Sequence, residues 1–97
     1  MEQQRDGLLW LRSSYAGSAY RITLSGELDL KSVESFAAEL TRMEDSGAVE
    51  TVIDLGQVEF IDSSGMIAIV EARKRFQGAG RHLRILGQPT RFSASLR

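Results

Sequence analysis

Residues 54–66 read Asp54-Leu55-Gly56-Gln57-Val58-Glu59-Phe60-Ile61-Asp62-Ser63-Ser64-Gly65-Met66. The run at 51–55 (TVIDL) is short, largely apolar and rich in β-branched residues, which predicts a buried strand. Val58, Phe60 and Ile61 follow it. From about residue 64 to 77 the spacing turns helical, with Met66, Ile69, Val70 and Arg73 along one stripe and Gly78 and Gly80 at the end. A strand thus delivers the chain to a turn, and two hydroxyls sit where a helix begins.

Outward from this segment the pattern stays regular. Residues 8–12 and 20–25 predict strands. The second alternates Tyr20, Ile22, Leu24 with Arg21, Thr23, Ser25, as a half-buried strand does. The polar stretch 13–18 between them, with Gly17, predicts a hairpin loop. From Ser32 the residues Val33, Phe36, Ala37, Leu40 and Met43 fall at helical spacing, and Gly47 is a natural stop. Asp29 or Ser32 is positioned to cap that helix. Residues 82–86 (HLRIL) predict a last strand, broken by Gly87 and Pro89, and residues 90–97 show no clear period. The order strand, strand, helix, strand, helix, strand predicts an α/β fold with parallel crossovers. The expected sheet is mixed and four- to five-stranded, with both helices on one face.

The chain has 97 residues, which is one domain's worth. It contains no cysteine, which excludes disulfide scaffolds and thiolate metal sites, and His82 is its only histidine. The N-terminus is polar and acidic before a short apolar run, unlike a signal peptide, and no apolar run approaches the ~20 residues of a membrane span. These features predict a cytoplasmic protein. Charge is unevenly distributed. Residues 1–71 hold all 13 acidic residues and five bases; residues 72–97 hold seven bases and no acid. Such a basic quarter either recruits an anionic partner, or pairs with the acidic part in the fold or simply solvates the surface, and the second of these is the expected outcome.

Position alone assigns Asp62 or Ser63 as a cap for the second helix. The same helix N-terminus, with its unpaired N–H groups, also tolerates a phosphoryl group on a serine. Such a group would set roughly −2 of charge beside Asp62, enough to abolish a protein contact without unfolding the domain. An enzyme is the weaker reading. The Gly-x-Ser-x-Gly elbow of serine hydrolases is absent, and so are phosphate loops, metal motifs and helix-turn-helix patterns.

Gly26-Glu27-Leu28-Asp29-Leu30 and the Asp-Leu-Gly-x-Val-x-Phe-Ile-Asp-Ser-Ser-Gly-Met segment, with their mutual spacing and the later 78–86 stretch (GAGRHLRIL), resemble the bacterial STAS-domain anti-sigma factor antagonists. The resemblance covers about residues 7–88. It implies one STAS domain over residues 1–97, with 89–97 irregular or a shortened C-terminal element. It also implies a mechanism. The unmodified antagonist binds an anti-sigma factor that is a serine kinase of the histidine-kinase-like ATPase fold, and so frees a sigma factor. The kinase phosphorylates the antagonist with ATP, and a PP2C-type phosphatase reverses this. By the resemblance the modified residue is Ser63, with Ser64 second. Asp29, Asp62, Ser63, Ser64, Gly65 and Met66 form the partner-binding segment. The chain itself carries no cofactor, contacts neither nucleic acid nor membrane, and is a monomer or weak dimer. The pattern departs from the family at two places. Ile67 stands where a small residue is common, which crowds the first turn, and residues 87–97 lack the family's Leu-rich closing helix. The alternative within the same fold is an accessory subunit of a signalling assembly or membrane transporter without a phospho-switch.

Overall fold

The computed structural model describes residues 2–94. Strands β1 (Glu2–Asp6), β2 (Leu9–Ala16) and β3 (Ala19–Leu28) form an antiparallel meander. Helix α1 (Val33–Asp45) leads to β4 (Glu50–Asp62), and helix α2 (Ser63–Gly78) leads to β5 (His82–Leu86). Strand β4 runs parallel to both β3 and β5, in the order β1-β2-β3-β4-β5. Both crossovers step in the same direction across the sheet. With the right-handed rule, this places both helices on one face. The mixed sheet and its single helical layer are as the sequence predicts. Two strands are added to the expected set, β1 and a three-residue β6 (Arg91–Ser93) parallel to the end of β4.

The core lies between sheet and helices. Leu11, Ile22, Leu24 and Ile53 meet Phe36, Leu40 and Met43 of α1 and Ile69, Ala72 and Phe76 of α2. On α2 the buried residues are Gly65, Ile69, Ala72 and Phe76, while Val70 and Arg73 are exposed. The stripe is therefore rotated from the expected one. At Gly65 the helix sits so close to the sheet that a Cβ would lie 2.7 Å from Ile61 and 2.9 Å from Leu28. Small residues are consequently innermost there, which hydrophobicity alone does not indicate. One acid enters the core. Glu39 is 1% exposed, accepts the Tyr20 hydroxyl and is paired with Arg42 at 2.7 Å. Burial and the neighbouring Glu39 raise the Tyr20 phenol to about 12.

Two other differences have local causes. The predicted hairpin loop at 13–18 is mostly strand, because β2 and β3 pair up to Ala16 and Ala19 and Gly17, at φ 62°, makes the tight turn. Strand β4 runs 13 residues instead of five, and it is bulged twice. Thr23 to Ser25 on β3 spans Asp54 to Gln57 on β4, and Gly26 to Glu27 spans Val58 to Phe60. Each bulge adds one residue to β4 and breaks the alternation. At the first, the Asp54 carboxylate accepts the Gly56 N–H (2.9 Å) and the Arg21 guanidinium (2.5 Å).

Part of the basic quarter pairs with the rest of the molecule. Arg75 bridges Glu44 at 2.8 Å. Arg81 donates to the carbonyls of Met43 and Glu44 at the end of α1 and of Ala48 in the loop after it, and lies over the Phe76 ring. Arg91 stacks on Phe60.

Candidate functional site

The parallel strands β3 and β4 both end at one edge of the sheet, where ligand and partner sites of such sheets gather. Their ends bring together the two sequence motifs, Gly26–Leu30 and Asp62–Met66, which lie more than thirty residues apart in the chain.

Asp62 is the centre of the arrangement and is 0% exposed. Its backbone is extended (φ −107°, ψ −176°), and its carboxylate caps α2. One oxygen accepts the N–H groups of Ser64 (2.9 Å) and Gly65 (3.3 Å) and the Ser64 hydroxyl (2.5 Å). The other accepts the Leu30 N–H at 3.2 Å. Burial by itself would raise the pKa of this carboxyl. The Ser64 hydroxyl and the Gly65, Leu30 and Ser64 amides outweigh burial and hold the pKa below the ordinary aspartate range. The helix cap is thus Asp62, and its contact with Leu30 also fixes the loop after β3.

That loop is locked from within as well. Ser32 is 2% exposed and accepts the Asp29 N–H at 3.1 Å, while its own hydroxyl faces the Glu27 carbonyl at 3.2 Å and the Asp29 carboxylate at 3.3 Å. Asp29 accepts the Lys31 N–H at 3.0 Å. Ser32 therefore precedes α1 without capping it by a side-chain bond. Its hydroxyl is engaged in the loop.

The two serines differ. The Ser64 hydroxyl is bound to the buried Asp62 carboxylate. Ser63 is half-buried, and its hydroxyl donates to the backbone carbonyl of Ala94, just past β6. Helical spacing places Ser63, Ile67 and Val70 on one face of α2. Ile67 and Val70 are 53% and 44% exposed, and Leu30 on the anchored loop is 48% exposed. Ile67 points outward and does not crowd the first turn. Met66 points elsewhere, into an open groove of about 360 Å³ shared with Leu55, Ile85, Pro89 and Phe92. Of the partner-binding residues expected from sequence, Asp29, Ser63, Ser64 and Met66 keep surface, while Asp62 and Gly65 are buried beneath them. The exposed Leu30 and Val70 were not among the partner-binding residues expected from sequence. An apolar residue closing a polar loop motif was the available signal for Leu30.

A serine hydrolase geometry is not formed. His82 starts β5 and pairs in register with Glu50 at the opposite end of β4 from Ser63. Among the described residues no group of carboxylates and histidine is arranged to hold a metal. No helix among the described residues is long and apolar enough to cross a membrane.

Among the described residues the chain is an α/β domain with a six-stranded mixed sheet, two helices on one face and a strand-to-helix turn reading Asp-Ser-Ser-Gly. Residues 11–97 match the family model described as "Mlab, STAS domain", and the chain belongs to this STAS family. No curated protein matches it. Among solved structures, an anti-sigma factor antagonist from Mycobacterium paratuberculosis is similar at 18% identity and a TM-score of 0.75, over 82% of this chain and 68% of that one. The antisigma-factor antagonist STAS domain from Rhodobacter sphaeroides is 27% identical over 82% of this chain and 87% of its own, with a TM-score of 0.64. The anti-sigma factor antagonist SpoIIAA of Bacillus, in its unphosphorylated form, is 24% identical over 80% and 73%, with a TM-score of 0.69.

Proposed function

We propose that this chain is an anti-sigma factor antagonist. Unmodified, it binds an anti-sigma factor that is a serine kinase of the histidine-kinase-like ATPase fold and frees a sigma factor; phosphorylation of Ser63 ends the binding. A PP2C-type phosphatase restores it. The protein acts in the cytoplasm, as a monomer or weak dimer, and needs no cofactor of its own. The observation that carries this reading is the position of Ser63. It is a half-buried hydroxyl on the face of α2 that carries the exposed Ile67 and Val70, next to the ionised, buried carboxylate of Asp62, which also anchors the loop of the exposed Leu30. An apolar face of this kind suits a protein partner. Roughly −2 of charge on it would meet both the face and the Asp62 carboxylate unfavourably. The resemblance of the Ser63 segment to the antagonists, and the likeness to the antagonist domain from Rhodobacter sphaeroides, support the same reading.

The test is a pull-down from the native host with wild type, S63A and S63D as baits, read by mass spectrometry. Wild type and S63A are expected to recover an ATPase-fold kinase. S63D is expected to bind at least about tenfold more weakly, which corresponds to about 1.4 kcal/mol. Recovery of transporter or scaffold proteins irrespective of residue 63 would replace this reading with the accessory-subunit one and leave Ser63 as a structural residue.

A further inference from the structure

We propose that β6 is a strap over Ser63, closed while the serine is free and released when it is phosphorylated. This rests on reading Ser63 as the modified residue. The Ser63 hydroxyl has one proton, and it is donated to the Ala94 carbonyl. Strand β6 brings that carbonyl into place by pairing Arg91, Phe92 and Ser93 with Phe60, Ile61 and Asp62. The strap is pinned upstream by the Thr90 N–H on the Val58 carbonyl (3.0 Å) and by Arg91 over the Phe60 ring. Its large apolar side chain, Phe92, is 56% exposed, so opening β6 uncovers little core. Short elements of this kind open locally without global unfolding.

Phosphoryl transfer acts on the same oxygen. The bond from Ser63 Oγ to phosphorus forms as the β,γ-anhydride of ATP breaks. ADP leaves, and the hydroxyl proton passes to a base of the partner kinase. The ester oxygen then has no proton to donate. The phosphate oxygens would face the Ala94 carbonyl oxygen, acceptor against acceptor, with the Asp62 carboxylate behind them. Asp62 already occupies the N–H groups of Ser64 and Gly65, so those two are not free to compensate. The closed strap and the phosphate therefore exclude each other. The kinase must capture the open form, and the modified chain stays open after the kinase leaves.

The experiment is residue-resolved amide hydrogen exchange on three full chains: wild type, S63A, and a chain carrying phosphoserine at 63 installed during translation. S63A, which loses one hydrogen bond, is expected to speed exchange at Phe92, Ser93 and Ala94 by about three- to tenfold. The phosphoserine chain is expected to exceed S63A there by at least about tenfold, because repulsion is added to the lost bond. Amides of β3 and the middle of α2 should keep their rates. Unchanged exchange in β6 of the phosphoserine chain would overturn the strap. So would a rise shared by the whole sheet, since β6 would then not be a separate unit. The same chains used as baits report separately on the underlying reading. A partner captured equally by all three removes the phospho-switch, whereas a strap that never opens leaves partner discrimination by charge intact.

Discussion

Replacing Asp62 with alanine is expected to cost about 3 kcal/mol of stability and to abolish partner binding at the same time. The carboxylate serves four donors: the N–H groups of Leu30, Ser64 and Gly65 and the Ser64 hydroxyl. Loss of a helix cap alone costs about 1 kcal/mol. Further donors left without a partner in a buried place add about 1–3 kcal/mol. In a domain held by about 5–15 kcal/mol, this is a large fraction. The conservative change separates the two effects. The asparagine side chain introduced by D62N keeps one acceptor oxygen, so it can cap α2 or receive the Leu30 N–H, but its amide NH₂ then faces the other set of donors. D62N is expected to lose about 1–2 kcal/mol while weakening binding more than stability, since Asp62 anchors the loop that carries the exposed Leu30. Urea unfolding and a binding titration on the same variants check this.

The pH dependence has a definite sign. The Asp62 carboxyl is held below its ordinary range in the folded chain, so the folded state binds its proton less tightly than the unfolded chain does. Its contribution is full above the unfolded value of about 4 and is lost as pH falls from there through the depressed folded value. The stability gap between wild type and D62N is therefore expected to shrink on acidification through that window. A gap that stays constant would mean that Asp62 acts through shape and not through charge.

Substituting Gly26 with alanine is expected to lower stability by about 3 kcal/mol or more, a fall in melting temperature of about 15 °C for a domain of this size. Gly26 adopts φ 89°, where an L side chain is strained, and a Cβ there would sit 2.0 Å from the Leu8 carbonyl oxygen. The obstacle is backbone. That carbonyl also accepts the Glu27 N–H at 2.9 Å, so it cannot retreat without breaking the β2–β3 contact. Gly47 gives a clean control. It too has positive φ (71°), but a Cβ would meet nothing within 4 Å, so G47A should cost only the backbone strain, about 1 kcal/mol. Similar losses in the two variants would show that the Leu8 contact contributes nothing.

Much of the architecture was legible because its signals are side-chain periods. Tyr20, Ile22 and Leu24 alternate, Phe36, Leu40 and Met43 repeat helically, and His82–Leu86 is a strand flanked by glycine. The parts that escaped are those held by the backbone. Strand β1 (EQQRD) offers no apolar residue and exists through its ladder with β2. Strand β6 is too short for a period to appear. The bulges of β4 interrupt the alternation that would have announced the rest of the strand. At the site, Asp62 and the hydroxyls were visible as cap-forming types. The burial of Asp62 depends on the loop after β3 folding over it, and the acceptor of Ser63 is a backbone carbonyl thirty-one residues away. No residue identity records a carbonyl.

Trp10 is the only tryptophan of the chain and stands on the sheet face that no helix covers, 42% exposed, with the Arg5 guanidinium 5.2 Å from its ring. Its emission is thus set by the edge hairpin formed by β1 and β2, on the other side of the sheet from the helix bearing Ser63. Intrinsic fluorescence will follow fraying of that hairpin and global unfolding. Events at the serine will leave the signal dark unless a reporter is placed on the helical side, and a chain without cysteine leaves any single introduced thiol free to carry one.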